Sequence, residues 1–392
     1  MTSSNGGLSG ILLHPRTSQN KSASIRIDQA FQTACLVIVA ACSVGMFAIG
    51  RPTIARSISE SGVVGRTPLL VDTLSDREAD AIHLLAAGAD PNRPDSAGWT
   101  PLIAAALRRE GPLAAALLHR GADMNAQNRA GKSALTYAIQ AADTPLAVKL
   151  VSLGANPNLS DGGGATPLMW AAMQDDLSSV DALIRAHADV NARDARGYTA
   201  LAIATVNDSG DVARALMQHG ADASIGSDSD RFLPLELAID CHETGIASML
   251  IEAGAPVNDA DADGFDSLMV AAQNDDSYTA QMLLARGANP NQRTPDGLTP
   301  LCFACLNPAG DSGLIWDLIK HGADVNLASD DGTTPLMYAC AAGHASIVKI
   351  LIARGASSSA ISDRGMTALH FADGEGHAGD IGPLLRRAGE GQ

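Results

Sequence analysis

Apolar and polar positions follow one another in a recurring order along most of this chain. A first apolar cluster opens with Thr-Pro-Leu at Thr67, Thr100, Thr166, Thr299 and Thr334, with weaker copies at Ser133, Thr199, Leu233, Asp266 and Thr367. After a short polar break a second apolar run, such as Ile347 to Ile352, ends at Gly-Ala-Asp or a near relative. That marker begins at Gly88, Gly121, Gly154, His187, Gly220, Gly254, Gly287, Gly322, Gly355 and Gly389, a spacing of 33 to 35 residues. A Thr hydroxyl accepts from free amides at a helix start, Pro suits the first turn and Leu begins the buried face, so each Thr-Pro-Leu predicts a helix. Small pairs such as Ala105-Ala106, Ala171-Ala172 and Ala271-Ala272 let neighbouring backbones approach. The Gly marker predicts a left-handed cap on a second helix, and Asp-x-Asn with a later Gly, as in Asp324 to Asn326 and Gly332, predicts a turn. Ten units run from about residue 62 to the C-terminus.

Two short antiparallel helices and a turn cannot bury their apolar faces alone, so such units must stack on one another. The stretch DGTTPLMYACAAGHASIVKILIARGAS, Asp331 to Ser357, resembles the ankyrin repeat motif D-x-x-G-x-T-P-L-H-x-A-A-x-x-G-H-x-x-V-V-x-x-L-L-x-x-G-A. The resemblance covers residues 62–392 and implies an all-α solenoid of helix-turn-helix units with projecting β-turn loops. Departures are local: His187 replaces a capping Gly, Arg231 stands where a turn Gly is expected, and two extra residues lengthen the eighth repeat.

Composition agrees with thin packed layers, because 46% of the 392 residues are hydrophobic but only 3% aromatic. The net charge is -16, while residues 1–62 carry Arg16, Lys21, Arg26, Arg51 and Arg56 against Asp28 and Glu60, a net of +3. The acidic body is repelled by phosphate backbones, which argues against nucleic acid; a basic protein partner and solubility alone are the two readings of the charge. Six cysteines, irregularly spaced, do not form a disulfide framework.

Ahead of the repeats, residues 1–29 read as a polar tail, 30–50 as a hydrophobic signal-anchor helix and 51–61 as a linker. AFQTACLVIVAACSVGMFAI, Ala30 to Ile49, has no charge and the length of a bilayer crossing. Val39 to Cys42 also resembles a bacterial lipobox in which Cys42 would be lipidated, and packing on the first repeat is a third reading. A signal of either kind places the repeats on the extracytoplasmic side of a membrane; the alternative is a cytoplasmic protein.

Chemistry is sparse in the pattern. Cys302 and Cys305 form a C-x-x-C, but they fall at inward-facing slots, as does Cys340, so core packing and a helix-start dithiol are the two readings. His119, His219 and His321 close second helices, and His344, His370 and His377 occupy slots where the family also has His. Asp175-Asp176 and Asp275-Asp276 sit at the turn between helices, where Asp caps the second one; calcium would need oxygens from more residues. No nucleophile elbow, zinc-protease or nucleotide-loop motif is present, so the expectation is no enzyme, no cofactor and no metal.

By the resemblance, partners dock on the concave surface, at the turn tips and first-helix ends. The position after the turn Gly holds Trp99, Tyr198, Phe232, Phe265 and Leu298, the last four in successive repeats and expected about 10 Å apart. Asp208, Glu243, Asp275 and Asp276 form an acidic rim beside this stripe, and Asn307 to Gly313 a flexible edge. Together they predict a monomeric protein-binding scaffold whose partner presents an apolar anchor among Lys and Arg. The alternative is a soluble, immunity-type inhibitor of an enzyme.

Overall fold

The computed structural model describes residues 65–228 and 231–390. The 1–29 tail, the 30–50 hydrophobic segment with Cys42 and the 51–61 linker lie outside them. The chain divides into an N-terminal unit, Ala34–Ser229, and a C-terminal unit that contains Asp230–Gln392.

Among the described residues of the N-terminal unit are five helix pairs: α1 (Pro68–Leu74) with α2 (Glu78–Ala86), α3 (Pro101–Arg108) with α4 (Gly111–His119), α5 (Ala134–Gln140) with α6 (Thr144–Ser152), α7 (Pro167–Met173) with α8 (Leu177–Arg185), and α9 (Ala200–Val206) with α10 (Gly210–Gln218). The C-terminal unit has five more: α11 (Pro234–Asp240) with α12 (Thr244–Glu252), α13 (Ser267–Gln273) with α14 (Ser277–Ala285), α15 (Pro300–Leu306) with α16 (Ser312–Lys320), α17 (Pro335–Ala341) with α18 (Ala345–Ala353), and α19 (Ala368–Gly374) with α20 (Ala378–Glu390). The described residues are all-helical apart from the isolated bridges Gln127 to Ser133 and Ala260 to Asp266.

The expected starts hold in detail. The hydroxyls of Thr67, Thr100, Thr166, Thr299 and Thr334 each accept an amide three residues on. In the sixth repeat Leu233 has no hydroxyl to offer, and the cap is reversed: the Leu233 amide donates to Glu236 Oε2 at 3.0 Å. Inner helices then bury Ala and Leu completely, as at Ala104, Ala105, Ala171, Ala172, Leu168 and Leu268.

Hydrogen bonds join consecutive turns within each unit. Asn158 Nδ2 donates to the His187 carbonyl and its Oδ1 accepts from the Asp189 amide; Asn191, Asn258 and Asn326 repeat this on the next repeat. At position 224, where this ladder would have its next Asn, Ser224 donates instead to Asp222. The turn tips are tied as well, Gly162 to the Ala130 carbonyl and Asp363 to that of Asp331.

Among the described residues no helix is long and apolar enough to cross a membrane. The longest, α20, has 13 residues, short of the roughly 20 that a crossing requires. This corrects the expected membrane location with the repeats on the extracytoplasmic side.

Candidate functional site

The stripe after the turn Gly turns inward instead of forming the expected exposed contact surface. Trp99, Tyr198 and Phe232 are buried, at 8%, 8% and 6% exposure, and Phe265 and Leu298 are half-buried. The backbone explains the inward direction: the amides of Trp99, Tyr198 and Phe265 donate to Asp95, Asp194 and Asp261, which closes each turn. The ring then packs on the aromatic of the following first helix. Trp99 lies 5.0 Å from Tyr137 and Phe265 lies 5.2 Å from Phe303, centroid to centroid and tilted. This geometry is an aromatic contact between repeats, worth about 1 kcal/mol beyond area burial.

In the N-terminal unit the same layer holds a cation. The Lys132 ammonium is 4.6 Å from the Trp170 ring centre and 5.8 Å from that of Tyr137. Burial lowers its pKa and Asp161 opposes that change. Trp170 Nε1 itself donates to Asp161 at 3.2 Å, so this cluster is internally satisfied.

Acidic residues collect instead where the first helix of a repeat turns into its second. In the N-terminal unit Asp175 and Asp208 are exposed with φ of 50° and 53°. Asp176 caps α8 and accepts from Thr144 of the preceding repeat at 2.7 Å. In the C-terminal unit Glu243, Asp275 and Asp276 are half-buried, and Asp276 accepts from the Thr279 amide at 3.0 Å. The edge carries mixed charge at Glu110, whose pKa is pushed up to about 7, first by burial, with Arg108 opposing and Glu78 adding.

The lengthened turn of the eighth repeat is pinned on both sides, which corrects its reading as a flexible edge. Asn307 Nδ2 donates to the Gln273 carbonyl at 2.6 Å, and His344 Nε2 lies 2.8 Å from the Asn307 carbonyl. Asp311 accepts from Ser277 of the preceding repeat, and Gly313 belongs to α16.

Large exposed side chains occur at this edge that the turn-Gly slot did not reveal. Tyr278 is 59% exposed and Leu306 38%. Tyr278 stands out in its slot: the second residue of the outer helix is Ala79, Pro112, Pro145, Ser178, Asp211, Gly245, Gly313, Ser346 or Gly379 in the other described repeats. Trp316, also exposed, carries the Arg354 guanidinium over its ring at 3.7 Å.

Cys302, Cys305 and Cys340 are unbridged and fully buried. Burial pushes all three thiols up, Cys340 to about 12, which disfavours the thiolate. Among the described residues no group of three or more His, Cys, Asp and Glu is placed to hold a metal ion.

Compared with known families, residues 70–161, 168–261 and 306–387 match the model for ankyrin repeats in three copies, and residues 263–295 match that for a single ankyrin repeat. No curated protein matches the chain.

Proposed function

The chain belongs to the ankyrin repeat family, and from that premise we propose that it is a non-catalytic scaffold that binds a partner protein through the concave groove and turn tips of its repeats. Ankyrin repeats are protein-interaction modules whose stacked units offer an extended surface. The observation that carries the reading is the bonding of each turn to the next within a unit, which sets the edge before any partner arrives and lowers the ordering cost of association. The acidic edge residues Asp208, Glu243, Asp275 and Asp276 favour a basic partner surface, and half-buried Phe265 and Leu298 add apolar area. In this reading the scaffold acts as a monomer and takes no cofactor.

Cross-linking mass spectrometry on affinity-captured complexes tests this. Cross-links should map to the turns between first and second helices, and capture should weaken as salt rises and with Asp208→Lys. Cross-links confined to the outward sides of the second helices, with salt-independent capture, would overturn the groove reading.

A further inference from the structure

Resting on the scaffold reading, we propose that the turn edge of the C-terminal unit formed by residues 273–278 and 306–311 is a docking surface for a partner segment that bears an apolar anchor flanked by Lys or Arg. Two adjacent turns make it. The Asn307 bond to Gln273 and the Ser277 bond to Asp311 hold the turn of the eighth repeat against that of the seventh. Leu306 precedes the first of these residues and Tyr278 follows Ser277, so two exposed apolar side chains stand on joined turns, with exposed Pro308 and Ala309 beside them. Exposed apolar groups held on a fixed frame are the usual material of a binding hot spot.

The charge on this edge selects the partner. Asp275, Asp276 and Asp311 lie within it, and Asp275 feels the negative charge of Asp311. Asp276 and Asp311 cap α14 and α16, which answers part of their charge with helix-end amides; Asp275, at φ 58°, caps neither. Arg286 ends α14, Lys320 ends α16 and Arg354 ends α18, at the other ends of the second helices, while Arg293 pairs with Asp330 and Lys349 lies midway along α18. A nine-residue helix is about 13 Å long, beyond the screening length of ~8 Å at physiological salt, so the helix-end cations do not neutralise the edge. Acidic groups around an apolar floor attract a basic segment and repel an acidic one.

The test uses the full chain. A phage-displayed peptide library is panned on it, and selected peptides are measured by fluorescence anisotropy against the wild type, Tyr278→Ser and the triple variant Asp275→Asn, Asp276→Asn, Asp311→Asn. Asn keeps the caps and tolerates the left-handed backbone, and thermal melts confirm that both variants are folded. Selected peptides should carry Leu, Phe or Trp between basic residues. Binding should weaken about tenfold in each variant, and its salt dependence should flatten in the triple variant. A selection without basic residues, or one that yields no binder, overturns the proposal. Binding that both variants leave unchanged removes this edge while the scaffold reading stands. Self-association in sedimentation that Tyr278→Ser abolishes would assign the edge to a second copy and also overturn it.

Discussion

Glu236 shows how one missing hydroxyl reshapes a helix start. With Leu at the cap, its carboxyl takes the Leu233 amide and is only 1% exposed, while Oε1 has no hydrogen-bond partner among the described residues. Asp266, at the start of the neighbouring inner helix, is also fully buried, and among the described residues its Oδ2 has no hydrogen-bond partner. Desolvation raises both groups, Glu236 from 4.5 to about 9 and Asp266 from 3.8 to about 6; Asp261, Asp266 and Asp259 push Glu236 further. A carboxyl raised on folding stabilises the fold where it is protonated. The contribution of Glu236 is therefore complete below pH 4.5 and is lost as pH rises through about 9. Urea melts should show stability falling by roughly 2–4 kcal/mol between pH 5 and pH 8, with a flatter profile in Glu236→Gln. Equal slopes in the two proteins would refute this assignment. The sequence marked Leu233 as a weak copy of Thr-Pro-Leu, but the acid that compensates for it stands three residues later, in a slot that looks like any other core position.

At the scale of elements, caps and turns decide where each helix ends. His187 closes α8 at φ 63°, where other repeats have Gly, and a side chain there costs about 1–2 kcal/mol. His187→Gly should raise stability by about 1 kcal/mol in a chemical melt. Gly131 is the opposite case: its φ is 72°, and an added Cβ would lie 2.7 Å from the Gly162 nitrogen in the next turn. Gly131→Ala should cost at least about 2 kcal/mol, and an unchanged midpoint would show that the turn can shift. These elements were legible beforehand because Thr-Pro-Leu, paired Ala and terminal Gly each encode local backbone chemistry. The direction of the residue after the turn Gly was not, because Trp99 and Phe265 turn inward to rings 38 residues further along the chain. Tyr278 was legible only by comparing the same slot across repeats.

For the molecule as a whole, a period of about 33 residues carries the fold, and the family match covers most of the repeats. Part of the charge follows that period, since the marker places Asp90, Asp123, Asp189, Asp222 and Asp324 in one slot. In the seventh and eighth repeats Asp276 and Asp311 cap the starts of the second helices while Arg286 and Lys320 stand at their ends, an order that complements the helix dipoles. Function then rests on whether the turn edges are set before a partner binds. Amide hydrogen exchange on the free full chain measures this directly. The caps and inter-turn bonds predict slow exchange at Thr279, Gly313 and Leu314 without partner, and further slowing at 273–311 when a selected basic peptide is added. Fast exchange of those amides in the free chain, with protection appearing only in the complex, would contradict a preformed scaffold.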